Sequence, residues 1–132
     1  MLLKGGLHTH TTCSDGKLTV AQVIHEYERQ AFDFIALTDH DYLLRPGCYE
    51  KHLEEVQTSM LIFLGIELTI FEKGYLHVNK IQGDRETLYM FNHPSELDLP
   101  LEKVKERILA VHEKMPLDAL EITTKGFYTQ EY

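Results

Sequence analysis

Phe32-Asp33-Phe34-Ile35-Ala36-Leu37-Thr38-Asp39-His40-Asp41 decides how this chain folds. Residues 32–38 are apolar at nearly every position, the pattern of a parallel strand covered on both faces, and Asp39-His40-Asp41 stands just past its end. Upstream, Thr19-Val20-Ala21-Gln22 is a capping box, in which a hydroxyl and an amide side chain satisfy orphan backbone N–H groups. Val20, Val23, Ile24, Tyr27 and Ala31 then recur at the helical period, so a helix is expected to about Gln30. Before it lie a short apolar stretch, 2–8, containing Gly5-Gly6, and a polar loop, 9–17.

Downstream, Tyr49, Leu53 and Val56 repeat at helical spacing behind Pro46-Gly47, and the apolar run 60–66 reads as a third strand. Residues 69–80 continue as two extended runs about Glu72-Lys73-Gly74, a hairpin signal. A strand is expected over 88–92. Asp98 is expected to cap a helix with Pro100 in its first turn and Leu101, Val104, Ile108 and Val111 as its apolar stripe. Pro116 should end that helix ahead of a strand over 117–122. Strands alternating with helices predict an α/β fold of βαβ units about a parallel sheet or barrel.

The 132 residues suit one domain, 1–132. Thirteen Lys and Arg against twenty-one Asp and Glu give a net charge of −8, which repels a phosphate backbone unless bound cations offset it locally. The longest apolar run, 60–66, is far short of the roughly 18 residues of a spanning helix, so no membrane segment is expected. Cys13 and Cys48 are too few and too far apart for a Cys-x-x-Cys site or a disulfide framework, and Cys13 reads as a buried or spectator thiol. His8 and His10 come too early for a signal peptide to precede them, so a reducing, cytoplasmic compartment is expected. Eight histidines accompanied by carboxylates, not thiols, direct attention to metal ions.

His8, Asp39-His40, Glu67, His93 and Glu121 all fall at or near predicted strand ends, where chemistry gathers in βα folds. His8 and His10 share one face of an extended backbone, although an isolated His-x-His is more often incidental. Asp15, in Ser14-Asp15-Gly16, reads equally as a turn in which glycine supplies a positive φ. Glu67 interrupts an apolar run where an uncompensated carboxylate would cost several kcal/mol, and a cation is the simplest remedy. If Glu72-Lys73-Gly74 is a three-residue loop, Phe71 faces Tyr75, Thr69 faces His77, and Glu67 lies diagonal to His77 on one face. A two-residue loop would turn His77 away. His25, His52 and His112 lie among charges in predicted helices and read as solvated, while Lys17, Arg45 and Lys125 are loop cations able to meet a phosphate.

Taken in order, Leu7-His8-Thr9-His10-Thr11, Ser14-Asp15-Gly16, Ala36-Leu37-Thr38-Asp39-His40-Asp41, Gly65-Ile66-Glu67, His77-Val78-Asn79 and His93-Pro94 resemble the polymerase and histidinol phosphatase (PHP) family. The resemblance runs from residue 3 to about 122. It implies a distorted (β/α)7 barrel that binds two or three divalent ions and hydrolyses phosphate mono- or diesters by water held between cations. His8, His10 and Glu67 would hold one ion, Glu67 bridging to a second held by His77 and His93, and Asp15 with His40 a third. Asp39 would orient these ligands, and Glu121 matches a strand-end acid of open role.

The family's late Asp-x-His motif is absent from the 132 residues, which offer strands for about five βα units of the barrel. The segment between Asn79 and His93 is also shorter than the resemblance implies. Imidazole and carboxylate ligands suit manganese, iron or zinc. The expected function is therefore a metal-dependent phosphoesterase acting on a phosphorylated small molecule, nucleotide or oligonucleotide, with Glu67 and Asp39 in catalytic roles and Lys17 and Arg45 binding substrate. The alternatives are a hydrolase of another ester or an amide, and a non-catalytic or impaired metal-binding module. An oligomer or a further C-terminal segment would complete the barrel.

Overall fold

A computed structural model describes the backbone of residues 1–124 and 127–128, with side chains through Ile122. The element order is β1 (Gly5–Gly6), α1 (Val20–Arg29), β2 (Phe34–Leu37), α2 (Cys48–Leu53), β3 (Leu61–Phe71), β4 (Tyr75–Gln82), β5 (Thr87–Phe91), a short 3-10 turn (Pro94–Leu97), α3 (Leu101–Lys114), β6 (Ala119–Leu120) and a separate two-stranded pair, β7 (Thr123–Thr124) with β8 (Phe127–Tyr128). Six strands pair in sequence order, β1 to β6, in one sheet that curls into half a barrel. This is the α/β architecture expected of a partial PHP barrel.

The sheet is mixed rather than wholly parallel. β1-β2-β3 and β5-β6 pair parallel, but β3-β4-β5 is an antiparallel meander joined by two hairpins. The short Asn79–His93 segment thus holds a strand return and no helix. Pairing in the first hairpin sets Phe71 opposite Tyr75 and Thr69 opposite His77, the register of a three-residue loop. Consequently Glu67 and His77 face the same way.

Among the described residues the helices pack on the face of the sheet opposite Glu67 and His77. Val20, Val23 and Ile24 of α1 pack with Ile35 and Leu37 of β2, Tyr49 of α2 and Met60. Val111 of α3 packs on Leu76, Val78 and Phe91. The capping box closes as expected: Gln22 N–H donates to Thr19 Oγ1, and Thr19 N–H to Gln22 Oε1. Such a cap stabilises a helix by about 1 kcal/mol. Among the described residues no helix is long and apolar enough to cross a membrane.

Four local expectations are corrected. Ala31 is exposed and left-handed (φ 61°), because α1 ends before it. Asp98 caps nothing: it is left-handed at the end of the 3-10 turn, and α3 starts behind Pro100. Gly16 does not supply a positive φ. Its Cβ would stand 2.6 Å from the His10 carbonyl carbon, so glycine is required for close approach to the His10-Thr11 backbone.

Finally, Cys13 and Cys48 form a disulfide across a Cα separation of 5.8 Å. Their sequence separation of 35 does not matter in space, since the loop after β1 folds over the start of α2. The bond removes one of the two grounds for a reducing compartment. It also ties the loop carrying His10 and Asp15 to α2. Lys125 lies outside the described residues.

Candidate metal centre

The concave face of the sheet changes character along β3. Leu61, Phe63 and Gly65 give way to Glu67, whose side chain is buried with 1 % of the residue exposed. Gly65 permits the approach of β4, because a Cβ there would lie 2.8 Å from the Lys80 carbonyl oxygen. Around the Glu67 carboxylate the strand ends deliver five imidazoles. His10 Nε2 and His40 Nδ1 lie 2.6 and 3.3 Å from Oε2. His8 Nε2, His93 Nε2 and His77 Nδ1 lie 3.4, 3.4 and 3.6 Å from Oε1. The neighbouring rings touch, His10 on His40 at 4.5 Å between centroids and His77 on His93 at 5.3 Å.

Asp15 joins from the edge, 2.9 Å from His10 Nδ1 and 3.4 Å from His40 Nε2. Every residue expected to be a ligand, His8, His10, Asp15, His40, Glu67, His77 and His93, therefore comes to one place. His25, His52 and His112 stay outside it, although Leu117 N–H donates to His112 Nδ1.

Asp39 is fully buried but faces the scaffold. Its carboxylate accepts from Thr11 N–H (2.7 Å) and Oγ1 (2.9 Å), Ser14 Oγ (2.5 Å) and Tyr49 Oη (2.7 Å). Those bonds pin the His10–Asp15 loop and α2 to the end of β2. Burial and the Asp39 carboxylate push the Tyr49 hydroxyl well above its usual range, so it stays a donor. Arg45 is already engaged: its guanidinium donates to the Thr12 carbonyl at 2.8 Å and lies 3.7 Å from Cys48 Sγ. Lys17 is exposed in the loop between β1 and α1.

Two residues support the cluster: Asn92, which the sequence reading did not single out, and Glu121, the strand-end acid whose role it left open. Asn92 donates through Nδ2 to Glu67 Oε1 (3.0 Å) and Asn79 Oδ1 (2.8 Å), while Asn79 donates to the Leu7 carbonyl. Glu121 accepts the His93 N–H at 2.8 Å and lies 3.0 Å from His8 Nδ1, so its carboxylate fixes which nitrogen of His8 turns toward Glu67. Asn92 could have been found as a polar residue on the site face one step before His93. Nothing in sequence foretold the Glu121 contacts.

The electrostatics are those of a cluster built around positive charge. Burial disfavours the Glu67 carboxylate, yet the rings of His10, His8 and His93 hold it well below the usual range. Burial likewise opposes a charged His8, but Glu121 and Glu67 raise it to about 9. His10 is raised against burial by Glu67 and Asp15. His77 is lowered, chiefly by burial, with Glu67 opposing and neighbouring rings assisting. Asp15 and Glu121 are lowered against burial by His10 and His8 respectively.

A divalent cation fits this donor set. His10 Nε2 and His40 Nδ1 are buried and make no hydrogen bond despite the nearby Glu67 oxygen, which sits out of line for them. An ion accepting their lone pairs would satisfy both. Three groups have ligand atoms within 4.8 Å of one another: His8/His10/Glu67, His10/Asp15/His40 and His40/Glu67/His77. Cys13 and Cys48 also approach His52, but their sulfurs are bonded to each other and offer no thiolate.

Comparison with known proteins identifies relatives, the fold and the family. The chain is 26 % identical over 102 residues to the 5'-3' exoribonuclease Rnm of Salmonella typhimurium, across 76 % of this chain and 33 % of that protein. It is 29 % identical over 86 residues to a 5'-3' exoribonuclease of Haemophilus influenzae, across 64 % of this chain and 31 % of that one. The chain thus spans about a third of the length of these curated relatives.

Among solved structures, a two-domain protein of Bacteroides vulgatus containing a predicted PHP-like metal-dependent phosphoesterase superposes with a TM-score of 0.69 at 22 % identity. That match covers 96 % of this chain and 46 % of the other. An amidohydrolase of Chromobacterium violaceum superposes with a TM-score of 0.51 at 23 % identity, covering 85 % and 37 %. These likenesses show the fold. The PHP domain family model matches residues 6–130, and the chain belongs to that family.

Proposed function

We propose that this chain is the metal-binding part of a phosphoesterase that cleaves phosphate mono- or diesters of nucleotides or oligonucleotides. The observation that carries the reading is the buried Glu67 carboxylate ringed by five imidazoles, two of whose nitrogens have no other partner. His8, His10 and Glu67 would hold one ion, Glu67 with His77 and His93 a second, and Asp15 with His40 a third. Manganese, iron and zinc suit the ligands. Such ions supply Lewis acidity toward a phosphate oxygen and lower the pKa of an attacking water.

The protein's own part is positional. Glu121 and Asn92 keep His8 and Glu67 oriented, and Asp39 fixes the loop that presents His10 and Asp15. In the reaction the P–O ester bond breaks, water oxygen joins phosphorus, and the alcohol leaves with a proton. Lys17, free of the clamp that engages Arg45, is a loop cation available to a phosphate. The names of the exoribonuclease relatives support a nucleic-acid phosphoester as substrate class. The open apolar floor of the half-barrel supports its completion by further strands, from more chain or from a second copy.

Paired assays test the reading. The manganese-, zinc- or iron-loaded protein is given a phosphomonoester, a phosphodiester and a simple carboxylic ester. Turnover of a phosphate ester is expected. Turnover of the carboxylic ester alone would replace the phosphoesterase with another hydrolase, and retained metal without any turnover would make this a binding module.

A further inference from the structure

A row of exposed aromatic rings borders the cluster on its open side. Tyr42, Phe71 and Tyr75 are 68, 67 and 74 % exposed, unusual for large rings that pack against no core. Each stands two residues from a position of the site row: Tyr42 from His40, Phe71 from Thr69, and Tyr75 from His77. In β3 and β4 a two-residue step returns the side chain to the same face about 7 Å further along. Phe71 and Tyr75 are paired across the ladder and meet edge to face at 5.4 Å. Tyr42 contacts the ring of His40, also at 5.4 Å. The His40–Tyr42 segment runs beside β3, where Asp41 N–H donates to the Glu67 carbonyl and Thr69 N–H to Asp41 Oδ2. The three rings therefore follow three adjacent lines of backbone, Tyr42 and Tyr75 two residues beyond His40 and His77 and Phe71 four residues beyond Glu67.

The hairpin tip that carries two of them is held in place. Arg107 of α3 donates through Nη1 to the carbonyls of Glu72 (3.0 Å) and Lys73 (2.7 Å), and Lys114 pairs with the Glu72 carboxylate. A Cβ on Gly74, at φ 139°, would lie 3.3 Å from that guanidinium nitrogen. A fixed surface loses little entropy when a ligand lies against it.

We infer that Tyr42, Phe71 and Tyr75 form a base-stacking lip, which places a nucleoside beside the phosphate that the cluster receives. The inference rests on the phosphoesterase reading above and adds the substrate's other half. Charge favours it. A net charge of −8 works against gripping a nucleic-acid backbone by side-chain cations, whereas stacking on aromatic rings needs no charge and accepts every base.

The test uses adenosine 5'-phosphate and ribose 5-phosphate, which differ only in the base. Calorimetry on the manganese-loaded protein reads binding, and phosphate release reads turnover. Wild-type protein should bind the nucleotide about 5- to 150-fold more tightly, the range that one stacked base contributes at roughly 1–3 kcal/mol. The F71A/Y75A variant should bring that ratio close to one, and F71Y/Y75F should retain it. These positions are exposed, so the alanine variant keeps the fold, and circular dichroism checks it.

Equal affinity for the two phosphates in wild-type protein, or an undiminished ratio in F71A/Y75A, would overturn the lip while leaving the phosphoesterase standing. Failure to bind or hydrolyse either compound would overturn both. If the rings instead seat a second copy, wild-type protein sediments as a dimer and F71A/Y75A as a monomer, with no base preference in either. That result too overturns the lip.

Discussion

The two ends of the concave face share one sheet and one alternation of side chains, yet they are chemically opposite. At the N-terminal end of the parallel strands Leu7, Phe34, Phe63, Ile81 and Leu88 line an apolar cavity of about 600 Å³. At the other end the same alternation gathers Glu67, His40, His77 and Asn92. β3 carries both, passing from Leu61 and Phe63 through Gly65 to Glu67 within seven residues. The apolar end needs only shape and burial to be stable. The polar end is stable only if every buried charge and ring nitrogen is satisfied, and two nitrogens beside Glu67 make no hydrogen bond. The contrast locates function at the end where packing alone leaves an electrostatic deficit.

The largest effect should come from Glu67→Gln, which removes the charge shared by five rings. Bound metal and phosphoester turnover should fall together, turnover by on the order of 100-fold or more, as metal analysis and phosphate release would show. Retained metal at wild-type stoichiometry would break the contrast. Glu121→Gln should weaken ion affinity by about 10- to 100-fold with the fold intact, because it frees His8 without removing a ligand. Metal titration reads this, and unchanged affinity would leave Glu121 without a positioning role. Phe63→Ala, at the apolar end, should do the reverse. It should cost about 1–2 kcal/mol in denaturant unfolding, part of the cost of a fully buried ring, and leave metal stoichiometry unchanged.

Acidity sharpens the same comparison, since the clustered imidazoles stand at the polar end. His8 is raised in the folded, metal-free protein to about 9 from an ordinary value near 6.5. Its pairing with Glu121 and Glu67 therefore stabilises that form fully below about pH 6.5 and is lost as pH rises through about 9. Metal binding needs the neutral ring, so apparent affinity should climb over the same window, by up to about tenfold per pH unit for each displaced proton. Melting temperatures of the metal-free and metal-loaded protein should diverge from pH 6.5 to 9. Parallel curves would contradict this. The smallest effect belongs to His112→Ala, which should lose only the hydrogen bond from Leu117, about 1 kcal/mol, and no metal.

Much of this was legible in the sequence because local chemistry and tertiary fold agree. The Thr19/Gln22 box started α1 where its side chains could reach the backbone, and Glu72-Lys73-Gly74 set the hairpin register that brings His77 beside Glu67. The candidate ligands were visible as polar residues at or near strand ends. What stayed hidden depends on contacts between distant segments. The Cys13–Cys48 bond, the Glu121 carboxylate across His8 and His93, and the closeness of Gly16 to the His10 backbone have no periodic signature. Asp98 misled because an acid ahead of a proline reads as a cap, whereas the intervening 3-10 turn leaves it left-handed.

Everything functional depends on cations occupying the space between Glu67 and the rings. Anomalous X-ray scattering from crystals soaked in manganese tests this most directly. The account predicts a peak within coordination distance of the Glu67 carboxylate and Nε2 of His8 and His10. Peaks only elsewhere on the molecule, with the cluster holding water alone, would contradict it.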